Sequence, residues 1–403
     1  MNVPKLRFKE FNDKWKPINL ANTFQYFSTN SFSREQLSES GILKNLHYGD
    51  IHRKYNSIVN ENKDITSYIK DINYVNKYEL LKNNDLIFAD ASEDYEGIGK
   101  AVEVVNVNNN TVSGLHTILA RDNSNVFAPM FKGYYFNSPI VHKQVRVLAN
   151  GFKVYGISRD SINKLNIRIP SIQEQSKIAN TLYLLDKKIE LQTKKIEDLK
   201  LFKKGLLIKE FNNKKCNNKL NECFDFGKAG GTPKSTNKDY YNGHIPFLSI
   251  GDMTAQGKYI YYTDKSITDA GLNNSAAWLV PKNSIIISMY ASYGLVSINK
   301  INLATSQAMF NMIINENYVI EYIYYYLYYL YISNFYNSIV STGTQSNLNA
   351  EQIKALDIYL PCYNEQKRIY RQFNVIDFKI DLERKKINEL LYLKKGLMQN
   401  MFV

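Results

Sequence analysis

The chain has 403 residues, of which 44% are hydrophobic, so it is long enough for two or three domains with apolar cores. Its formal net charge of +13 favours an anionic partner. Three cysteines, Cys216, Cys223 and Cys362, are too few for a disulfide scaffold, and we expect a reducing compartment.

The chain begins with a short basic and aromatic segment, Lys5–Trp15, that lacks the apolar core of a signal peptide. Residues 17–163 then alternate short apolar runs with Asn and Gly turns. The runs at Asp85–Asp90 and Ala101–Val107 predict strands, and Val107–Thr111 predicts a hairpin tip. This pattern indicates a mixed α/β domain with a small, curved sheet.

A long helix is predicted next. Ser171 and Glu174 form a potential capping box at its start, and apolar residues then recur at alternating steps of four and three. About 40 residues at roughly 1.5 Å each give a rod of about 60 Å, which cannot bury an apolar stripe alone. The polar segment Asn212–Leu220 predicts a hinge after the helix.

Residues 212–353 have the same texture as the first globular segment, with predicted strands at Ile245–Ile250, Ser284–Met289 and Ala308–Ile314. The most apolar run, Tyr318–Val340, is rich in Tyr and carries Glu321. Its apolar residues fall on one helical stripe, so we predict a packed amphipathic helix and no membrane span.

The long helix then occurs a second time. Residues 361–402 align with 170–211 at a constant offset of 191, without a gap, and 17 of 42 positions are identical. One copy is the simplest partner for the other, and we predict an antiparallel pair in which Gln192 and Glu383 meet at the midpoint. The seam positions are Ile178, Leu182, Leu185, Ile189, Gln192, Ile196, Leu199, Ile369, Phe373, Ile376, Ile380, Glu383, Ile387 and Leu390.

The predicted architecture is therefore α+β, with two mixed α/β domains separated by two long helices that pack as a pseudo-two-fold symmetric antiparallel coiled coil. The predicted segments are 1–163 (with the lead-in 1–16), 164–211, 212–353 and 354–403. The helical segments 164–215 and 354–403 carry net charges of +7 and +4. This charge is typical of a solvated lysine face, and it equally fits a surface near nucleic acid or an acidic protein.

The motifs of common catalytic sites are missing from the sequence. The five histidines and three cysteines do not reach metal-ligand spacing. The stretch Gly227–Ser235 resembles a phosphate loop, but Pro233 stands where that motif needs Gly. No nucleophile elbow or dinucleotide fingerprint occurs. We predict neither a catalytic residue nor a metal site in this chain.

Polar and aromatic side chains on Gly-supported loops can exchange hydrogen bonds with base edges, although for any single loop ordinary turn chemistry is the favoured interpretation. In the second globular segment these candidates are Gly231, Thr232, Ser249, Asp252, Met253, Tyr290, Ser292, Tyr293, Ser306, Gln307, Thr344, Gln345 and Asn347. In the first they are Tyr48, Asp50, His52, Arg53, Ser92, Tyr95, Lys100, His116 and Arg121.

Together these features resemble the specificity subunits of type I restriction-modification systems. The resemblance covers nearly the whole chain and is carried by two dissimilar domains, each followed by a helix that starts P-x-x-x-E-Q and contains K-K-G-L. The lead-in Leu6–Trp15 and the run from Gly230–Pro233 to Asp252-Met253 resemble family segments. The first domain lacks Gly-Gly-Thr-Pro and has Gln25–Phe32 (QYFSTNSF) instead.

The resemblance implies a non-catalytic subunit of a bacterial cytosolic, nucleoid-associated complex. Each target-recognition domain would read one half of a bipartite double-stranded DNA site. The subunit would recruit two methyltransferase (modification) subunits, which methylate adenine with S-adenosylmethionine. Two restriction subunits, which use ATP and Mg, would join through the complex.

Two other classes remain open. One is a coiled-coil scaffold or anti-restriction protein without sequence readout, although a DNA mimic would be acidic and this chain is basic. The other is an enzyme with an unrecognised site. DNA binding that requires a methyltransferase partner favours the specificity subunit, whereas nucleotide turnover by the chain alone favours the enzyme.

Overall fold

The computed structural model describes residues 3–70, 78–151, 153–290, 292–340 and 347–403. The chain forms two compact units: unit 1 is Met1–Thr193 with Lys385–Val403, and unit 2 is Lys194–Arg384. Each unit contains one globular domain and parts of both long helices. The predicted α+β class is confirmed.

The elements up to the first long helix are β1 (Lys16–Ile18), α1 (Leu20–Thr23), β2 (Phe24–Phe27), β3 (Leu37–Ser38), β4 (Lys44–Leu46), α2 (Tyr48–Arg53), β5 (Ile58–Asn60), α3 (Glu61–Asp64), β6 (Tyr68–Ile69), β7 (Leu86–Ala89), β8 (Ala91–Ser92), β9 (Ala101–Val105), β10 (Thr111–Ser113), β11 (Thr117–Asp122), α4 (Phe131–Phe136), α5 (Pro139–Leu148), β12 (Tyr155–Gly156), α6 (Arg159–Asn163), β13 (Ile167–Ile169) and α7 (Ile172–Phe211).

The later elements are β14 (Asn218–Lys219), β15 (Phe224–Ala229), β16 (Tyr241–Leu248), α8 (Ile250–Gln256), β17 (Tyr259–Ile260), β18 (Lys265–Ile267), α9 (Asp269–Asn273), β19 (Ile285–Ser288), β20 (Val296–Asn299), β21 (Ala304–Thr305), β22 (Met309–Ile314), α10 (Ile320–Ile332), α11 (Ala350–Lys354), β23 (Asp357–Ile358) and α12 (Tyr363–Asn400).

The two globular domains share one topology although their sequences differ. Within the described ranges, the main sheet of unit 1 has five strands in the order β2-β11-β7-β9-β5, and that of unit 2 has the order β15-β22-β19-β20-β17. In both, the last pair is parallel and the other neighbours are antiparallel. Strands β7 and β19 are buried along their whole length, which explains their nearly uninterrupted apolar sequence.

A second sheet in each unit contains a parallel pair, β4 with β10 in unit 1 and β16 with β21 in unit 2. The paired strands end at the same level, because Leu46 lies opposite Ser113 and Leu248 lies opposite Thr305. The residues that follow both strands of a pair are therefore neighbours. The predicted hairpin at Val107–Thr111 is wrong, because this segment connects β9 of the main sheet to β10 of the second sheet.

The long helices run antiparallel where they pack on each other. In unit 2, ion pairs join Lys195 to Glu383 at 2.7 Å and Lys203 to Asp377 at 2.5 Å. The residue with the higher number in α7 thus pairs with the residue with the lower number in α12, as antiparallel helices require. In unit 1, Lys394 pairs with Asp186 at 2.5 Å. The predicted contact between Gln192 and Glu383 stays a prediction.

The predicted seam is buried or half-buried throughout the two helices. The buried positions are Ile178, Leu182, Leu185, Ile196, Ile369, Phe373, Ile376, Ile380 and Glu383, and the half-buried ones are Ile189, Gln192, Leu199, Ile387 and Leu390. Ile178 and Leu182, at the start of the seam, also belong to the hydrophobic core of unit 1, together with Trp15, Tyr135 and Phe402.

The helix ends differ from the sequence prediction in three respects. Residues 164–171 precede α7 and 354–362 precede α12; these stretches contain β13 and β23, which pair with β1 and β14. Glu174 does not complete a capping box, because its carboxylate binds Arg7 at 2.7 and 2.8 Å. The predicted hinge is bound to β23, since Asn217 donates its backbone N–H to Ile358 O at 3.2 Å.

The Tyr-rich run forms the predicted packed helix, α10, with most of its side chains buried. Its aromatic residues surround Phe211 at the end of α7, which lies 5.2 Å from Tyr326 between ring centres. Within the part of the chain that the structure describes, no helix combines the length and apolar character needed to cross a membrane.

Candidate nucleic-acid interface

The predicted recognition loops of unit 2 meet at one edge of the domain, where backbone hydrogen bonds join them. Gly231 N donates to Thr305 O at 2.9 Å, Met289 N to Ala308 O at 2.7 Å, and Leu348 N to Met289 O at 2.9 Å. Ser249 lies beside these loops, because it follows Leu248 at the end of β16, and Leu248 is paired with Thr305 at the end of β21. Loops that are far apart in sequence therefore form one continuous surface.

Two glycines permit this close approach. A Cβ on Gly230 would lie 2.2 Å from Thr305 Oγ1, and one on Gly231 would lie 2.2 Å from the backbone nitrogen of Ala277. Any larger residue would push the loop away from β21 or from the backbone at 276–277. The Gly-Gly pair thus has a packing role and leaves Thr232 exposed beside it.

Several predicted side chains at this edge reach solvent. Thr232, Tyr290, Ser292 and Gln307 are exposed, and Ser249, Tyr293, Ser306 and Asn347 are half-buried. The Tyr293 hydroxyl donates to Asn337 Oδ1 at 2.8 Å, which orients its ring. Thr344 and Gln345 lie outside the described residues. The accessible set can give and accept hydrogen bonds and offers one large aromatic face.

Asp252 and Met253 have structural positions, which corrects the sequence prediction for them. Met253 is fully buried in the core of unit 2. Asp252 is buried, and its oxygens accept hydrogen bonds from Ser249 N and Oγ (2.8 and 2.7 Å) and from Asp264 N (3.1 Å). This capping box starts α8 and holds the loop in place. The backbone of Gly231 plays a similar supporting part.

In unit 1, five of the nine predicted candidates line an open cleft of about 450 Å³, whereas Asp50, Tyr95, His116 and Arg121 do not. Tyr48, His52, Arg53, Ser92 and Lys100 all line it. The other lining residues are Gly49, Glu93 and Asp94, which lie within the candidate stretches 48–53 and 92–95, and Arg34, His47 and Gly97, which sequence reasoning missed. The cleft combines cationic, imidazole and phenolic side chains, a set suited to phosphates and base edges.

Helix α2 positions the basic side of this cleft. His47 caps the helix by accepting the Gly49 N–H on Nδ1 at 3.0 Å, and burial together with the charge of Arg34 lowers the pKa of His47. Asp50 is buried and binds Arg34 at 3.0 Å and Lys54 at 3.2 Å. Burial raises the pKa of Asp50, but these two cations outweigh it and the net pKa is lowered. Asp50 therefore organises the cleft and does not line it.

Aromatic and imidazole rings pack around Tyr48. Its ring meets those of His116 and His52 edge-on, with centroids 5.2 and 6.2 Å apart. His52 Nε2 lies 2.9 Å from Ala91 O, and Lys100 donates to His52 O at 3.2 Å. Burial, with a smaller effect from the charge of Lys394, lowers the pKa of Lys100.

Three candidates of unit 1 form hydrogen bonds inside that unit. Arg121 is buried and binds Asp85 at 2.8 Å through two nitrogens, so it is unavailable to DNA in this conformation. Ser92 is buried and donates to Asp94 O at 2.7 Å. Tyr95 is exposed but lies outside the residues that line the cleft, and its hydroxyl donates to Arg146 O at 3.0 Å.

Asn30 replaces the Gly-Gly pair that the first domain lacks. Asn30 N donates to Ser113 O at 3.1 Å, as Gly231 N does to Thr305 O in unit 2. Its side-chain amide also donates to Ser113 O and to Asn45 Oδ1, at 2.9 and 2.7 Å. The stretch Gln25–Phe32 therefore makes the same loop connection with different chemistry. Only the shared topology reveals this correspondence.

No cluster of three or more His, Cys, Asp or Glu side chains suited to a metal ion is found among the residues that the structure describes. Cys223 is buried, and burial raises the pKa of its thiol to about 12.

Comparisons with known proteins point to one family. The family model for the type I restriction modification DNA specificity domain matches residues 12–201 and 213–392. The MjaIX specificity subunit of Methanocaldococcus jannaschii is 30% identical over 184 residues, 44% of this chain and 42% of that protein. The putative MjaX specificity subunit of the same organism is 24% identical over 367 residues, 83% of this chain and 82% of that protein.

Solved structures support the fold. The crystal structure of a type I restriction-modification S subunit from M. genitalium matches with a TM-score of 0.56 at 15% identity, covering 100% of this chain and 99% of that one. A chain from a study of complex assembly and conformational transition of the type I R-M system matches with a TM-score of 0.61 at 15% identity, covering 95% and 96%. The chain therefore belongs to the type I restriction-modification DNA specificity family.

Proposed function

We propose that this chain is a non-catalytic specificity subunit that reads a bipartite double-stranded DNA site in the bacterial cytosol, one half-site per unit. The observation that carries this proposal is the recurrence of one topology with different exposed or half-buried side chains at the same edge. Unit 1 presents Tyr48, His52 and Arg53, and unit 2 presents Tyr290 and Gln307. Equivalent scaffolds with different reading groups suit two different half-sites.

The same chain would recruit two copies of a modification subunit. Exposed apolar side chains recur on both long helices at the offset of 191: Leu184 and Val375, Leu191 and Leu382, Leu201 and Tyr392, and Phe202 and Leu393. Each unit thus carries four of these eight repeated residues, two from each helix. Repeated apolar patches on two equivalent surfaces suit two identical partners.

A glycine on each helix supports this partner proposal. Gly205 and Gly396 have open space around their Cβ positions within 4 Å, so no contact inside the chain requires glycine there. Leu201 and Phe202 lie four and three residues before Gly205, as Tyr392 and Leu393 do before Gly396, so each set shares a helix face. A glycine on an exposed apolar face allows a partner helix to approach closely.

S-adenosylmethionine, ATP and Mg would be bound by partner subunits. The modification subunits would methylate adenine, and restriction subunits would join through the complex. The lysine-rich helices add positive charge that can attract DNA, since phosphate contacts dominate raw affinity.

Methylome sequencing of cells that carry this chain and its modification subunit tests the function. Replacing residues 17–150 with the matching domain of a relative should change one half-site and leave the other as it was. If both halves changed, separate readout by two domains would be wrong. If methylation required the chain but ignored the swapped domain, the chain would be a scaffold without sequence readout.

A further inference from the structure

His116 occupies an unusual backbone position at the recognition edge of unit 1. It lies in the three-residue tip between β10 and β11 and has a φ of 54°. Of the nine described non-glycine residues with positive φ, seven are Asn, which tolerates this conformation. The eighth, Met130, packs against the core. The His116 side chain is 50% exposed, so core packing does not explain a histidine there.

Asp90 fixes the orientation of the His116 ring. Asp90 N donates to His116 O at 3.1 Å, and Asp90 Oδ1 lies 3.2 Å from His116 Nδ1. A carboxylate can only accept a hydrogen bond, so in the neutral imidazole Nδ1 carries the hydrogen and Nε2 carries a lone pair. The Tyr48 ring meets the imidazole edge-on and restricts its rotation. Burial raises the pKa of Asp90, and His116 opposes that shift.

In this tautomer Nε2 is a hydrogen-bond acceptor on a half-exposed side chain. Among the described residues, His116 Nε2 has no hydrogen-bond partner. The imidazole ring contacts Tyr48, which lines the cleft. In the major groove the base donors are the amino groups of adenine (N6) and cytosine (N4), whereas guanine and thymine present carbonyl oxygens at those places. An acceptor held at this edge therefore distinguishes amino bases from keto bases.

We propose that His116 determines one base of the half-site read by unit 1, by accepting a hydrogen bond from the amino group of an adenine or a cytosine. This inference rests on the proposed function and adds the residue and the chemical class of base. Asp90 acts as a positioning residue that selects the tautomer.

Two substitutions at position 116 test the inference in the complete complex by methylome sequencing at an unchanged level of the subunit. His116→Gly removes the ring and suits the left-handed backbone, so the fold is retained. It should relax one position of one half-site, lowering discrimination there by roughly ten- to a hundredfold. His116→Arg offers only donors, so the same position should change by a transition, from A to G or from C to T.

Asp90→Ala tests the tautomer. It frees the ring to present either nitrogen, and the same position should accept both the amino base and the keto base. Gln307→Ala is the matched control, because it removes an exposed polar side chain at the corresponding edge of unit 2 and should alter only the other half-site.

The result that overturns the inference is a His116→Gly subunit that keeps the original half-site with unchanged discrimination. A change confined to the half-site altered by Gln307→Ala overturns it as well. Either result leaves the proposed function intact. Failure of the proposed function looks different, because the unmodified subunit would then direct methylation to no defined sequence.

Discussion

At the scale of single residues, each domain is fastened to the helices by the same three side chains. In unit 1, Asp186 of α7 accepts the Tyr134 hydroxyl at 2.9 Å and pairs with Lys394 of α12. In unit 2, Asp377 of α12 accepts the Tyr325 hydroxyl at 2.6 Å and pairs with Lys203 of α7. All three residue types repeat at the offset of 191. Neither domain is therefore fastened by one helix alone.

The two tyrosines should differ in energetic importance. The Tyr325 hydroxyl also accepts a hydrogen bond from Lys258 at 2.9 Å, and burial lowers the pKa of this lysine to about 8. Tyr325→Phe leaves both a carboxylate and a largely buried ammonium short of a partner, and we expect a loss of about 2 kcal/mol. Tyr134→Phe affects only Asp186, and we expect about 1 kcal/mol.

Hydrogen exchange separates the two effects, because it reports the protection of α10 and α4 individually. Equal losses of protection in the two variants would mean that the hydrogen bond from Lys258 to the Tyr325 hydroxyl does not stabilise the fold. Loss of protection throughout the chain would instead indicate that the two units unfold together.

The structure leaves some predicted site residues accessible and gives others a purely structural position. Tyr48, His52 and Arg53 line the cleft because α2 begins directly after β4. Asp252 and Met253 occupy the corresponding helix of unit 2, yet they cap the helix and fill the core. A motif residue that supports a loop and one that contacts a ligand have the same sequence signal.

At the scale of elements, the heptad pattern predicted both long helices and the stripe that they bury. It did not predict what covers each part of the stripe. Ile178 and Leu182 pack into a globular core that includes Trp15 and Tyr135, and these contacts span too many residues for periodicity to reveal. Likewise, Arg34 reaches Asp50 from outside α2 and could not be inferred from local sequence.

The glycines of the long helices give a prediction at this scale. Gly205→Ala and Gly396→Ala should each stabilise the free chain by about 0.5–1 kcal/mol, because alanine favours an exposed helix and open space surrounds both positions. Both should nevertheless weaken binding of the modification subunit, since the added methyl group prevents close helix approach. Urea unfolding measures the first effect and titration calorimetry the second.

Lys204→Ala, an exposed helix position next to Gly205, is the control and should leave partner affinity within about threefold. If Gly205→Ala bound the modification subunit as tightly as the original chain, the partner would dock elsewhere.

At the scale of the whole molecule, two dissimilar sequences form one topology twice. The two domains share three features. Their main sheets have the same strand order, each second sheet has a parallel pair of strands that end at the same level, and a loop donates a backbone hydrogen bond to the last residue of that pair. Gly231 and Asn30 satisfy the last requirement in different ways. This freedom explains why the repeat is visible in the sequences of the helices but not in those of the domains.

The continuous helices lead to a prediction about the DNA spacer. If their paired length sets the number of unread base pairs, lengthening both helices should widen the spacer. A copy of Lys194–Lys200 inserted between Thr193 and Lys194 extends the near-duplicated heptads 187–193 and 194–200. Its match belongs between Lys385 and Lys386, because the pairs Asp186–Lys394 and Lys195–Glu383 lie on either side of these points.

One heptad adds about 10 Å at roughly 1.5 Å per residue, which is about three base pairs at 3.4 Å each. It also turns the second half-site by about 100° around the duplex, since one turn takes roughly 10–10.5 base pairs. The domains must follow this rotation or the DNA must twist, so binding should weaken while both half-site sequences are retained.

Methylome sequencing of the doubly extended variant should find a spacer about three base pairs longer. The control is extension of one helix alone, which breaks the register of the helix pair. An active, doubly extended variant with the original spacer would mean that other parts of the complex, such as the modification subunits, determine the distance.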